Sequence, residues 1–95
     1  MNTGTTQAWL ALRWEKGNRY YRVLLQPDLW HQWVVIRSWG RKNTALGRVV
    51  HLPVVSYEDG LASIEEIGRV RQRRGYTLVN VGAMENVAES THVPS

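Results

Sequence analysis

The sequence predicts an α+β fold, a twisted antiparallel sheet of four to five strands with one amphipathic helix packed on it. Three observations point there. Short runs with alternating apolar and polar residues recur through the first half of the chain. A single stretch, beginning at Ser56 and ending at Gly75, repeats apolar residues every three or four positions. Both patterns are separated by turn-forming Gly, Asn, Asp and Pro, as layered sheet-and-helix domains require.

From Trp9 to Trp14, the residues Leu10, Leu12 and Trp14 alternate with Trp9, Ala11 and Arg13, which predicts a first strand. Glu15 to Asn18 reads as a hairpin turn, because Gly17 and Asn18 tolerate positive φ. The second strand, Arg19 to Gln26, sets Tyr21, Val23 and Leu25 against Tyr20, Arg22, Leu24 and Gln26, and Pro27-Asp28 breaks it. Trp33 to Arg41 is the most β-prone run, with Val34, Val35 and Ile36 between two tryptophans, and it is expected to be the central strand. A loop over Lys42 to Leu46 leads to a fourth strand, Gly47 to Val55, in which Pro53 suits an edge or a strand end.

Ser56, three residues ahead of Asp59, opens a helix near Tyr57 in a loose capping-box arrangement. Its expected apolar stripe is Tyr57, Leu61, Ile64, Ile67 and Val70. Glu58, Asp59, Glu65 and Glu66 in its first half and Arg69, Arg71, Arg73 and Arg74 in the last turns oppose the helix dipole favourably, and Glu65 is placed to pair with Arg69. Gly75 is the expected C′ stop. Gly60 and Gly68 each cost about 1 kcal/mol relative to alanine, so packing rather than propensity must hold this helix. Tyr76 to Val81 is a last short strand. The expected organisation is a flexible N-terminus over 1–8, one domain over 9–81 and a loose tail over 82–95.

A chain of 95 residues, 43% of them apolar and 21% charged, holds one hydrophobic core and no large catalytic domain. It has no cysteine, which removes disulfides, thiolate chemistry and cysteine-built zinc sites and fits a reducing compartment. A polar Met1 to Gln7 and the lack of any long apolar run point to a cytoplasmic protein with no membrane partner. The net charge of +4 favours anionic partners. Ten of the twelve cations are arginine, which grips phosphate through a planar fork.

Signals for catalysis are sparse. His31, His51 and His92 lie in different segments without metal-ligand spacing, and Glu65 and Glu66 are adjacent on a helix, where they diverge. No glycine loop is placed to cradle a phosphate of a cofactor. The expectation is therefore no enzyme, no metal and no small-molecule cofactor. The cluster Arg69 to Arg74 reads first as a solvated helix end, and second as a phosphate grip.

The informative stretch is Arg37-Ser38-Trp39-Gly40-Arg41-Lys42. The pleat of a strand sends Arg37, Trp39 and Arg41 to one face, which would set an indole between two guanidinium groups. Cations for a phosphate backbone and a flat ring for a base or sugar are thereby combined. The competing expectation buries Trp39 in the core with arginines snorkelling at its rim.

At these residues the chain resembles the WGR domain family, named for the tripeptide found here at Trp39, Gly40 and Arg41. The likeness runs from Asn18 to Tyr76 through Asn18-Arg19-Tyr20-Tyr21, the strand end Leu24 to Asp28, Trp33 to Arg41, Gly47, the helix from Ser56 to Arg74 and the closing Gly75-Tyr76. The resemblance implies a twisted antiparallel sheet crossed by one helix. It also implies DNA binding, by analogy with DNA-dependent poly(ADP-ribose) polymerases, whose WGR tryptophan packs on a sugar at a strand break with support from the arginine. Those roles would pass to Trp39 and Arg41, with Gly40 allowing close backbone approach. Free-standing bacterial-type WGR proteins are similar in size. Family members commonly carry a hydrophobic residue, a glycine and then a Gly-Gln pair after the tripeptide. Here the loop runs Lys42-Asn43-Thr44-Ala45-Leu46-Gly47-Arg48, so Lys42 and Arg48 add charge and Asn43 supplies tolerance of positive φ. The polymerases' catalytic region has no counterpart in this sequence, and no ADP-ribosyl transfer is implied.

The expected function is thus a non-enzymatic nucleic-acid-binding module, DNA favoured and strand ends or nicks as candidate targets, acting through Arg37, Trp39, Gly40, Arg41, Lys42 and Arg48. The alternative is a protein-interaction adaptor or regulatory subunit using the same aromatic and arginine surface, since tryptophan, tyrosine and arginine also dominate protein hot spots.

Overall fold

The computed structural model describes residues 7–45 and 47–84. Five strands and one helix follow in the order β1 (Trp9–Lys16), β2 (Arg19–Pro27), β3 (Trp33–Arg41), β4 (Gly47–Pro53), α1 (Tyr57–Arg73) and β5 (Thr77–Met84). They form one antiparallel five-stranded sheet in the order β4-β3-β2-β1-β5 with the helix on one face, an open α+β fold.

The β1–β2 turn needs only Gly17 and Asn18, because Lys16 pairs with Arg19. Gly17 takes φ +58°, the glycine-first pattern of a two-residue hairpin. That turn fixes the register, so the apolar set Leu10, Leu12 and Trp14 meets Leu25, Val23 and Tyr21. β3 adds Val35, Arg37 and Trp39 to the same face opposite Leu25, Val23 and Tyr21. The core that results joins Trp14, Tyr21, Val23, Leu25 and Val35 to Val54 and to Ile64 of the helix.

The central strand is β2, not β3 as the sequence suggested. β5 pairs along the outer edge of β1 and moves the middle of the sheet one strand over. The run Val34-Val35-Ile36 reports burial on both faces, since Val34 and Val35 are both buried although they point to opposite sides, and not position in the sheet. β5 itself continues through Met84, past the expected end at Val81, because Trp9, Leu10 and Ala11 of β1 offer partners to Met84, Ala83 and Gly82. The rest of the expected termini, 1–6 and 85–95, lies outside the described residues. Pro53 closes the edge strand β4, two residues before the expected end, and Val54 turns its side chain into the core while its N–H donates to the Trp33 carbonyl at 3.0 Å.

The helix begins and ends as its sequence requires. The Ser56 hydroxyl accepts from the Asp59 N–H at 3.0 Å, and Gly75 takes φ +87° after the C-cap Arg74. Of the expected stripe, Ile64 is buried and Tyr57 and Ile67 pack against the core, with one departure. Leu61 is 37% exposed, whereas Gly60 and Ile64 are buried. The reason is steric: a Cβ at Gly60 would lie 2.6 Å from Leu25 Cδ1, so the missing side chain is what lets the helix settle onto β2. At Gly68 the nearest atom to such a Cβ, Trp14 Cζ2, is 3.6 Å away, an ordinary contact. The helix start is tied down by Tyr57, whose ring meets Trp33 at 4.9 Å and whose hydroxyl donates to the Ala8 carbonyl at 2.8 Å. Glu66, not Glu65, pairs with Arg69, at 2.6 Å.

The two helix glycines should therefore respond oppositely to alanine. Gly68→Ala gains helix propensity and is expected to stabilise by up to about 1 kcal/mol. Gly60→Ala forces a methyl against the fully enclosed Leu25 and is expected to lose on the order of 1 kcal/mol net, the overpacking cost exceeding the propensity gain. Urea denaturation of both variants checks this, and equal stabilisation by the two would refute the close approach.

Candidate nucleic-acid interface

Trp39 lies on the helix-covered face of the sheet, two residues before β3 ends, where the helix no longer covers it completely. Its ring stacks on Tyr21, directly opposite on β2, with centroids 5.5 Å apart and planes at 9°. Tyr21 is buried and makes edge contacts with Trp14 at 6.2 Å and Tyr76 at 6.5 Å. The indole is thus partly buried, held in plane by the core yet not sealed in it. Its remaining edge lines a cleft of about 200 Å³ shared with Arg19, Tyr20, Gly40, Arg41 and Tyr76.

The six sequence-derived residues separate into three groups. Trp39, Gly40 and Arg41 line the cleft, and Arg48 stands directly across from Trp39 on the edge strand, exposed. Arg37 is on the same face but under the helix, in a niche with Tyr21, Ile67, Val70 and Arg71. Its guanidinium carbon lies 5.8 Å from the Trp39 ring centroid, one Nη lies 3.4 Å from the Tyr21 hydroxyl, and its Nε is buried without a partner. It positions the indole rather than facing solvent. In place of the expected sandwich of Trp39 between two guanidinium groups, Arg37 lies on one side and the Tyr21 ring, paired directly opposite on β2, stacks on the indole, while Arg41 lines the cleft at its free edge.

Lys42 belongs to the opposite face. Its ammonium pairs with Glu15 at 2.8 Å, and Arg13 pairs with the same carboxylate at 2.9 Å while covering the Tyr20 ring at 4.9 Å. The Lys42 N–H donates to the Asn18 carbonyl at 2.7 Å, so the β3–β4 loop is tied to the first hairpin and Lys42 follows that hairpin away from Trp39. Asn43 takes the positive φ, +63°, that its side chain tolerates. Hydrogen bonds from Lys42 and then Arg13 hold the Glu15 carboxyl below the usual glutamate range.

Arg19, Tyr20, Tyr21 and Tyr76 were not assigned to the site from the sequence, and Arg71 was read only as part of the Arg69 to Arg74 cluster. Arg19 sits directly opposite Arg41, and both are exposed. Tyr76 reaches the cleft because the Gly75 turn returns the chain to the sheet beside the helix end. Tyr21 backs the indole, and Arg71 covers Tyr21 at 4.2 Å and Tyr76 at 5.0 Å. The Arg69 to Arg74 cluster is therefore divided: Arg69 is paired with Glu66, Arg71 braces the aromatic rings, and Arg73 and Arg74 are exposed. Only the register between β2 and β3 brings Arg19 to Arg41, and no local pattern encodes that pairing.

Among the described residues no carboxylate pairs with Arg19, Arg41 or Arg48. Like charges directly opposite on neighbouring strands destabilise a sheet, so the Arg19–Arg41 pair leaves a positive potential that an anion would relieve. The described residues contain no group of His, Cys, Asp and Glu that could hold a metal ion, and no helix among them is long and apolar enough to cross a membrane. No family model, curated protein or solved structure matches the chain.

The Glu15 ion pairs carry a pH signature. A carboxylate whose folded pKa is depressed contributes stability above its unfolded value, near 4.3, and that contribution is lost as pH falls through the folded value. Lys42→Met removes the larger cause and should raise the Glu15 titration midpoint, read by carboxyl-detected NMR, while Arg48→Met should leave it unchanged.

Proposed function

We propose that the chain is a non-enzymatic nucleic-acid-binding module of WGR type that takes duplex DNA through the cleft at Trp39. The observation that carries this reading is the set of Arg19, Arg41 and Arg48, exposed around the free edge of a core-braced indole and unpaired with any carboxylate among the described residues. Phosphate oxygens would satisfy the guanidinium groups, and the indole, preset by Tyr21 and Arg37, would pack on a sugar or base without first being ordered. Tyr76 offers a second ring at the same cleft. Strand ends and nicks expose a sugar and base edge that continuous duplex hides, and a cleft of about 200 Å³ suits one such unit rather than a whole small molecule.

Compared with the sequence-derived set, the contact residues in this proposal are Arg19, Trp39, Gly40, Arg41 and Arg48, with Arg37, Tyr21 and Arg71 as support. Lys42 and Arg13 are paired with Glu15 on the face away from the cleft and are not among the contacts.

Three to five phosphate contacts predict a slope of log affinity against log salt of roughly −3 to −4.5 on duplex DNA. Arg19→Gln and Arg41→Gln should each flatten it by about 0.9, and Glu15→Gln should leave it unchanged, because Lys42 lies on the face away from the cleft. Trp39→Ala is expected to weaken binding by about 1–3 kcal/mol with little change in slope. Fluorescence anisotropy with labelled blunt, nicked and single-stranded oligonucleotides at two salt concentrations measures all of these. Affinity indifferent to Trp39→Ala and Arg41→Gln alike would end the proposal.

A further inference from the structure

The strand pairing sorts charge along the sheet. Every Lys and Arg of the sheet lies on the Leu12–Val23–Arg37–Val50 rung or on the side of it that leads to Lys16–Arg19–Arg41. From Ala11–Leu24–Ile36–His51 outward to Pro27–Trp33 there is none. The helix repeats this polarity, since its arginines occupy the end where Lys16 Nζ donates to the Arg74 carbonyl, and its start, at Trp33, carries Glu58 and Asp59. One end of the molecule is basic. The other carries no Lys or Arg among the described residues.

The second end instead displays large apolar side chains. Leu29 is 88%, Trp30 80% and Val55 90% exposed. The loop that presents the first two is rigid, not slack. The Asp28 carboxylate accepts from the N–H groups of Trp30 at 2.8 Å and Gln32 at 2.9 Å, the Asp28 N–H donates to the Gln32 carbonyl at 2.8 Å, and the His31 N–H donates to the Asp28 carbonyl at 3.0 Å. His31 holds φ +64°, a conformation that a non-glycine residue keeps only where its surroundings fix it. Beside this loop, on the sheet face away from the helix, runs a groove of about 680 Å³ walled by Trp9, Leu29, His31, Val34, Ile36 and His51. Trp30 is not one of its walls.

A projecting indole and an apolar groove thus sit next to each other on one surface, which is what a two-fold interface requires, because each copy must offer both the inserted part and the receiving part. Trp30 alone offers on the order of 200 Å². Together with Leu29, Val55 and the groove walls, the end approaches the ~800 Å² per partner that a stable interface buries. Charge favours the same arrangement, since two chains of net charge +4 meeting here keep their basic halves apart. Nucleic acid finds no Lys or Arg among the described residues of this end.

We propose that the end bearing the Asp28–Gln32 loop is a homodimer interface, with Trp30 of each copy seated in the groove beside the same loop of the other. The two Trp39 clefts then face outward from the pair. This inference stands independently of what those clefts bind.

Sedimentation velocity on the full chain tests it. The expected result is a reversible monomer–dimer equilibrium that persists in about 0.5 M salt, because the contact is apolar. Trp30→Ala and Leu29→Ser should each raise the dimer dissociation constant at least tenfold while leaving the thermal unfolding of the monomer unchanged, both side chains being exposed. Trp39→Ala should leave the dimer intact, which separates this proposal from the one above. A chain that stays monomeric at ~1 mM overturns it, as does a dimer untouched by Trp30→Ala. Association abolished by salt or by Arg41→Gln would mean head-to-tail contact through the basic end, and would overturn it too.

Discussion

The arrangement of this molecule depends on the Tyr21 ring. It faces Trp14 and Trp39 on the two neighbouring strands, meets Tyr76 after the helix, and lies under Arg71. A single side chain on the central strand therefore couples β1, β2, β3, the helix and its exit. Aromatic pairs contribute about 0.5–1.5 kcal/mol each beyond the area they bury, and they fix angle as well as distance. The parallel seating of Trp39 follows from that angular demand, and so does the orientation of its free edge toward Arg19 and Arg41.

The second constraint is the contact of the helix with β2. Because Gly60 has no side chain, the first half of the helix sits close over Leu25, and the second half lies over Tyr21, Arg37 and the approach to Trp39. That line of contact determines which cations are covered. Arg37 and Arg71 become braces for rings, each with a buried Nε lacking a hydrogen-bond partner, whereas Arg19, Arg41 and Arg48 lie beyond the helix and are exposed. Guanidinium groups stacked on rings lose less than ammonium groups would on partial burial, because they are weakly hydrated and planar, which explains why the braces are arginines.

The cations of the sheet are gathered toward one end. That end combines arginines unpaired with any carboxylate among the described residues with a core-backed indole, and the opposite end combines an internally hydrogen-bonded loop, the highly exposed Leu29, Trp30 and Val55, and a groove. The exposed Trp30 and the half-buried Trp39 therefore lie on separate surfaces. An interaction role for the exposed tryptophans and a phosphate role for the arginines do not compete for the same residues, although composition alone merges them.

What the sequence determined by itself is local. The alternation of Leu10, Leu12 and Trp14 and of Tyr21, Val23 and Leu25, the Gly17-Asn18 turn, the Ser56 cap, the Gly75 stop and the edge position of Pro53 all rest on pleat, turn and cap chemistry that acts over a few residues. The α+β class follows from those elements. Pairing between distant strands and the depth of the helix were decided only in three dimensions. The pairing of β5 along the outer edge of β1 left β2 rather than β3 at the centre, Gly60 took the place of Leu61 against the sheet, the tie from Lys42 to Asn18 carried that lysine to the other face, and the β2–β3 register set Arg19 beside Arg41. Arg37, Trp39, Gly40, Arg41 and Arg48 were legible as one stretch and its partner strand, whereas Arg19, Tyr21 and Tyr76 beside Trp39 were not, because a strand's own sequence fixes which way a side chain points but not what the next strand places against it.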